Sequence, residues 1–511
     1  MIFSPYGTAN VETDSDGRRH YRGLAPSLVD LLVARCREFS SAPVLVGSDD
    51  EIVTYAQLFE RAARVAGGLR GAGVSRGDRV GLQLPNCVNW VVAYWAIHLA
   101  GGVVVTLSSR STPPEVDHIV ADCEVKVVLD DPGRLTEGAP FVIEGQGEDS
   151  IASIFYTSGT TGRPKGVIIR HRNAIQNAEN QRRMYAAALG DSPLRSIIAV
   201  PLSHITGCNS LMLSTVNYGG TSIIRSGFTV ESFIEAAVEH RATALVGVPT
   251  MYWRIIRDPA FSPAALAHVK SISYGGAPTP PRLVEDIRAA FGEAALQNGF
   301  GSTECTGLHT ALPNEYALSH SSSVGIAMPV CDIKVDDPDV HGVGELVVRG
   351  PNVTTGYWNR PDATRDAFTV DGWLRMGDLG RIDGDGFVYV VDRIKDMISR
   401  GGEKVFSGEV EDVLAAAPGV WEVAVVGVPD DELGERVGAL IVAEPGTALD
   451  TAAVIEHAQH HLLGYKIPEL VIAMTEPLPR NSAGKIVKSQ LRQSIDWREV
   501  PIYRRGPVTR P

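Results

Sequence analysis

Eleven residues, Tyr156–Gly166 (YTSGTTGRPKG), gather three glycines, five hydroxyl side chains, one proline and one lysine between two apolar runs. The backbone N–H groups of such a loop can turn inward around phosphate oxygens, with hydroxyls adding donors and a lysine adding charge. Thr157, Ser158, Gly159, Thr160, Thr161, Gly162 and Lys165 are the candidate cradle. A Walker-type loop needs its lysine followed by Ser or Thr and then a helix. Here Lys165 runs into Gly166 and a strand-like stretch, so the loop is a different phosphate binder. Two other constellations read as structural. His457 and His461 are spaced i, i+4 with His460 between them, but no third ligand is in sight, which indicates a solvated helix face. Cys305 has no histidine partner in its run and is not read as a nucleophile.

Holding such a loop requires rigid elements on both sides, and the chain supplies them in a regular rhythm. SLVDLLVARCREF and TYAQLFERAARVAGGLRGAGV read as helices around a short VLVG strand, the second with a threonine cap and a glycine stop. Arg79–Leu84 reads as a strand, with another helix and strand at Glu115–Ala121 and Val125–Leu129. Val88–Leu107 approaches bilayer-spanning length, but Gly101-Gly102 interrupts it. A buried helix, a turn and a buried strand are expected there. This order predicts a parallel sheet covered on both faces. Its continuation through Ser196–Pro201, Thr221–Arg225, Ala244–Val248 and Lys270–Ser273 predicts a second doubly wound sheet. Past Gly325, short strands between Gly/Pro/Asp turns indicate a small β-barrel or sandwich. The expected fold is α/β: a large N-terminal domain, residues 1–394, of two doubly wound sheets plus a small β-barrel, then a small mobile α+β C-terminal domain, residues 395–511.

Composition narrows the partners. A chain of 511 residues with 44% apolar and 21% charged residues is that of a soluble protein with more than one domain. The net charge of −13 argues against nucleic-acid or anionic-membrane binding by bulk charge. Six scattered cysteines without a CxxC suit a reducing compartment. No secretory, peroxisomal or prenylation signal is read at either end, so the cytoplasm is the expected location.

YTSGTTGRPKG resembles the phosphate loop of the adenylate-forming superfamily, which comprises acyl-CoA synthetases, adenylation domains that load carrier proteins, and firefly-type luciferases. Seven further segments resemble the family's in the same order. They are PLSHITG (201–207), GGAP (275–278), NGFGSTE (298–304), GELVVRGPNVTTGYW (344–358), GWLRMGDLG (372–380), residues 392–411, and PRNSAGKIVK (479–488). The likeness is strongest to AMP-forming acyl-CoA synthetases, which imply ATP, Mg²⁺ and coenzyme A.

The resemblance implies a role for each segment. Gly275, Gly276, Ala277, Pro278, Asn298, Gly299, Phe300, Gly301 and Ser302 would frame the nucleotide, with glycines allowing close approach and Phe300 facing the adenine. Thr303 would bond an α-phosphate oxygen, and Glu304 is a hard oxygen ligand for Mg²⁺. Asp378 would accept from both ribose hydroxyls, beside Arg393. Lys485 would stabilise charge on the reacting oxygens during adenylation. Lys395 is the implied hinge. Gly401, Gly402, Glu403 and His204 would line the path of the CoA arm, and His204 also sits beside the acyl group. The implied acyl lining, His204, Ile205, Val248, Thr250, Gly275, Leu308 and Val324, is mostly apolar or small. No aspartate occurs between Ser192 and Arg257, where amino-acid-activating relatives hold the substrate amine. A fatty, aryl or polycyclic acid is therefore expected.

Two departures are visible. Met376 stands where relatives commonly carry threonine, and a thioether cannot donate a hydroxyl's hydrogen bond, a loss of about 1–3 kcal/mol if that bond meets the nucleotide or its support. Ser399 replaces a lysine found in some aryl-CoA ligases. The alternatives are an acyl-AMP ligase loading a carrier protein, or a specialist that makes the thioester from a supplied acyl-AMP, for which Met376 is the motivation. A nucleotide sensor is disfavoured by the presence of Lys165, Glu304 and Lys485 together. A homodimer is left open.

Overall fold

The computed structural model describes residues 5–157, 164–444, 446–480 and 486–503. The chain divides into two compact units, one of Met1–Lys334, Val347–Met376 and Asp385–Phe387, the other of Val335–Leu346, Gly377–Gly384 and Val388–Pro511.

The two largest sheets among the described residues of the larger unit have five and nine strands. In the first, Arg79–Leu82 pairs in parallel with Val103–Thr106 and Val127–Leu129, and Ile151–Thr157 lies parallel to Val103–Thr106. Lys165–Arg170 closes that edge antiparallel to Ile151–Thr157. Val80, Leu82, Val104, Val105 and Ile154 are fully buried, as a sheet covered on both faces requires. Each such side chain contributes about 1.5–3 kcal/mol relative to exposure. Val88–Leu107 resolves as expected: a helix Val88–Leu99, a turn in which Gly101 adopts φ +85°, and the strand Val103–Thr106. Among the described residues no helix is long and apolar enough to cross a membrane.

The second sheet has nine strands, of which Ala295–Ser302, Ser271–Gly275, Ala244–Gly247, Arg195–Ile198, Thr221–Ile224 and Pro43–Val46 are consecutive and parallel. The VLVG strand thus joins this sheet rather than the first. Leu45 and Val46 register against Ser222 and Ile223, and both are buried. The helix that follows, Tyr55–Gly71, starts as its sequence predicts: Thr54 Oγ1 accepts from Gln57 N at 3.3 Å while Gln57 Oε1 accepts from Thr54 N at 2.9 Å. The β-rich stretch past Gly325 forms a four-stranded sheet.

In the smaller unit, Val420–Asp430 and Gly434–Ala443 form a long antiparallel pair, and the other edge of Gly434–Ala443 takes Leu470–Met474 along 438–442 and, at Gly434, Ile398–Arg400 with Glu403–Val405. Helices Ser407–Ala415 and Thr451–His461 cover a core that includes Val410, Leu414, Val425, Val437 and Ile455.

Candidate active site

Most of the residues singled out in the larger unit lie at the carboxyl ends of adjacent parallel strands, where open α/β sheets bind ligands. Gly247 registers with Tyr274, Tyr274 with Asn298, and Gly275 with Gly299, so the GGAP and NGFGSTE segments leave the sheet side by side. The glycines there are sterically required. A Cβ on Gly275 would meet the Gly299 carbonyl oxygen at 2.2 Å, and one on Gly301 would meet the Gly307 carbonyl oxygen at 1.8 Å. Gly276, at φ +76°, begins an exposed loop with Ala277 and Pro278, and its nearest neighbour across the gap is Val248. Leu308, from the returning strand, packs over Gly299. The structure therefore gathers Val248, Gly275, Gly276, Gly299 and Leu308 into one place.

Phe300 and Gly301 sit at a register shift between Ala295–Ser302 and Gly307–Leu312. Such bulges re-aim side chains beside functional sites. Phe300, Ser302 and Thr303 are half-buried, and Thr303 and Glu304 lie in the tight turn that follows. That turn is held by the 352–358 segment. Thr354 N donates to the Glu304 carbonyl at 2.7 Å, and Thr306 Oγ1 donates to the Asn352 carbonyl at 2.6 Å. The same segment runs back to the loop strand, where Trp358 N donates to the Gly166 carbonyl at 2.7 Å.

Tyr357 completes this bridge. Its hydroxyl donates to Glu304 Oε1 at 2.9 Å, and Lys165 Nζ stands 5.3 Å from its ring centroid. Burial, then the Glu304 carboxylate, raise the Tyr357 pKa, so the phenol stays protonated and donates. The lysine at the end of the phosphate loop and the candidate Mg²⁺ ligand are thus joined through one aromatic residue. Sequence reasoning had the segment but not this residue, and a tyrosine just after a glycine was the available signal. The donor set fits a magnesium–nucleotide group, because Glu304 and Thr303 offer only hard oxygens and the neighbouring glycines leave the strand ends bare. Thr157 and Lys165 register as Cα partners at the two ends of the loop. Ser158, Gly159, Thr160, Thr161 and Gly162 lie outside the described residues, as does Lys485.

On the other side, His204 N donates to the Pro201 carbonyl at 3.1 Å, and Ile205 leads into a π-helix, Thr206–Leu213. Gly207 is required by the Pro201 carbonyl oxygen, 2.2 Å from where its Cβ would stand. The π-helix meets the Gly301–Gly307 turn through Ser210, whose Oγ lies 2.6 Å from a Cβ built on Gly307. Thr250 is the second residue of the helix Pro249–Ile255, and the Val324 carbonyl accepts from Thr310 Oγ1 at 2.7 Å.

In the smaller unit, Asp378 and Arg393 are Cα partners on paired strands, with Arg393 Nε 3.4 Å from the buried Asp378 carboxylate. Lys395 is exposed in the turn that follows. Gly401 (φ +58°) and Gly402 (φ +86°) form the two-residue tip of a hairpin whose last pair is Arg400 and Glu403. Positive φ at both tip positions is what such turns demand.

The departures and structural readings also find their places. The Met376 sulfur lies 3.7 Å from Cys305 Sγ, in an apolar cluster with Val348, Val353 and Leu374. His457 and His461 stack at 4.3 Å. Among the described residues the one group of three metal-capable side chains is Asp50, Glu239 and His240, which includes neither that pair nor Glu304.

Comparison with known proteins agrees with this geometry. The AMP-binding enzyme family matches residues 32–358, and the AMP-binding enzyme C-terminal domain matches residues 409–485. A feruloyl-CoA synthase of Amycolatopsis sp is 36% identical over 466 residues, covering 86% of this chain and 94% of that protein. A long-chain-fatty-acid–CoA ligase of Mycobacterium tuberculosis is 34% identical over 481 residues, covering 87% and 94%. The O-succinylbenzoate coenzyme A synthetase of Bacillus subtilis, in complex with ATP and magnesium ion, superposes with a TM-score of 0.81 at 30% identity, covering 92% of this chain and all of that one.

Proposed function

The chain belongs to the AMP-binding enzyme family, and from that premise we propose that it is an AMP-forming acyl-CoA ligase for an apolar carboxylic acid, aryl, long-chain or polycyclic, with ATP, Mg²⁺ and CoA as the other reactants. The observation that carries this reading is the Lys165–Tyr357–Glu304 bridge beside the glycine-lined strand ends. It sets a cation and a hard carboxylate at one place, as a triphosphate with its metal requires.

The acid's carboxylate attacks the α-phosphorus of ATP, forming acyl-AMP and releasing pyrophosphate. Lys165 and the hydroxyls of the loop hold the departing pyrophosphate. Thr303 bonds the α-phosphate, and Tyr357 fixes the Glu304 carboxylate in orientation. Bound Mg²⁺ would draw negative charge from the phosphates. Lys485 offsets charge on the attacking and bridging oxygens. Residues 395–511 then turn about Lys395, bringing the Gly401-Gly402 tip to the site so that the CoA thiol attacks the mixed anhydride. Asp378 and Arg393 hold the ribose and phosphate. The acyl group lies against Ile205, Val248, Thr250, Leu308 and Val324, of which Ile205 and Leu308 are buried apolar side chains. CoA rather than a carrier protein is the acceptor, and the cytoplasm is the location.

An acid panel scored separately for pyrophosphate release and CoA thioester tests the reading. Pyrophosphate and thioester in equal amounts with an aryl or fatty acid support it. Thioester only from supplied acyl-AMP refutes it. Lys485→Ala should lower adenylation by about 10²–10³-fold while sparing thioester formation from acyl-AMP.

A further inference from the structure

The described residues on either side of 481–485 are held by charge. On the entering side, the Arg480 guanidinium pairs with the buried Glu422 carboxylate, which also accepts from Leu478 N at 3.0 Å. On the leaving side, Lys488 Nζ lies 2.7 Å from Glu411 Oε1 and donates to Ser407 Oγ at 2.7 Å. Glu411 is fixed in turn by Val425 N, which donates to the same oxygen at 2.7 Å. Ser407 donates through its hydroxyl to Asp392 Oδ1 at 2.9 Å and through its backbone N to the other oxygen. Between these anchors the stem is closed by an Arg480–Ile486 bridge and by Val487 N donating to the Pro479 carbonyl at 2.9 Å. Ile486, the residue after Lys485, packs against the core containing Leu478, Leu491 and Trp497.

We propose that Lys488, through Glu411 and Ser407, is a positioning residue for the adenylation half-reaction: it fixes the chain three residues beyond Lys485 and thereby sets where the Lys485 ammonium can reach. Three residues span at most about 11 Å of extended chain, so the anchor at Lys488 acts near Lys485, together with the Arg480–Ile486 bridge and the Val487–Pro479 hydrogen bond. A displacement of about 1 Å at a reacting group can lower a rate 10²-fold. Lys488 itself is committed to two buried-side partners and to the vicinity of Asp392, so its role is support rather than contact with substrate. The inference rests on the proposed role of Lys485.

The test uses full-length chains with Lys488→Met, Lys488→Arg and Lys485→Ala, assayed for acid-dependent pyrophosphate release and for thioester formation from supplied acyl-AMP. Lys488→Met should lower kcat for pyrophosphate release by about 10²-fold, leave KM for ATP unchanged and spare the thioester step. Lys488→Arg should recover most of the loss, since a guanidinium can still reach both partners. If Lys488→Met does not fold, Glu411→Gln breaks the same pair and should give the same split. Equal loss of both steps in the Lys488 variant, while Lys485→Ala separates them, overturns the proposal, as does an unchanged pyrophosphate rate. A Lys485→Ala chain that fails to separate the two steps refutes the reading of Lys485 instead.

Discussion

The two units place their chemistry-bearing residues by different physical means. In the larger unit the strand ends are crowded until side chains are excluded: Gly275 against the Gly299 carbonyl, Gly301 against the Gly307 carbonyl, Gly207 against the Pro201 carbonyl. In the smaller unit Lys488, Arg480 and Arg393 each face a carboxylate within ion-pair distance. Steric exclusion acts at very short range and ignores pH. Ion pairing tolerates small displacements but answers to every proton gained or lost. The buried titratable groups follow the same division. The larger core keeps His98, His171 and His309 neutral, with burial pulling His171 and His309 down to about 4. In the smaller unit burial pushes Glu411 up to about 7, against the pull of Lys488.

The most damaging way to break this contrast is to add one methyl group on the crowded side. Gly301→Ala places a Cβ 1.8 Å from the Gly307 carbonyl oxygen, and the turn carrying Thr303 and Glu304 must shift. Pyrophosphate release should fall at least about 10²-fold. Near-normal activity would show that the strand ends yield as readily as the ion pairs.

Acid sharpens the contrast with a smaller effect. A histidine depressed from 6.5 to about 4 gives stability that is fully present above pH 6.5 and lost as the pH falls toward 4. For His171 and His309 that is about 3 kcal/mol each at most. Glu411 acts with the opposite sign. Raised from 4.5 to about 7, it contributes stability below pH 4.5 that is lost as the pH rises through 7. Hydrogen exchange read separately over the two units between pH 7 and 4 should show the larger one loosening. The smaller one should hold or tighten, a response that Glu411→Gln reduces and that Asp412, which burial raises to about 6, shares. Parallel pH responses in both units would contradict the assignment.

The smallest effect concerns Met376. Its sulfur packs against Cys305 in an apolar cluster, so Met376→Thr should remove packing and lower stability by about 1–3 kcal/mol, read from thermal unfolding. ATP-dependent pyrophosphate release should stay unchanged. A rise in that rate would instead mark the missing hydroxyl as the limiting feature.

Much of this arrangement was legible in the sequence because it is local. The Thr54 cap and the Gly101 turn each follow from a few adjacent residues whose backbone needs are specific. Phe300, Thr303 and Glu304 were legible because one short motif carries them all. What escaped depends on pairing across the chain. Four apolar residues such as VLVG announce a strand but not its sheet, and Leu45 and Val46 find Ser222 and Ile223 only in three dimensions. Tyr357 acquires its meaning from Glu304, and Lys488 from Glu411. Neither partner can be read from spacing.

The π-helix at Thr206–Leu213 gives the stretch proposed to face the acyl group a property that substitutions alone do not have. Its turns are wider than those of an α-helix by roughly one residue, with i→i+5 bonding in place of i→i+4. Removing a single residue there would restore ordinary winding and swing everything before it, His204 and Ile205 included, by about 100° around the axis. Length in this stretch therefore sets the direction in which His204 and Ile205 project, independently of which side chains they carry.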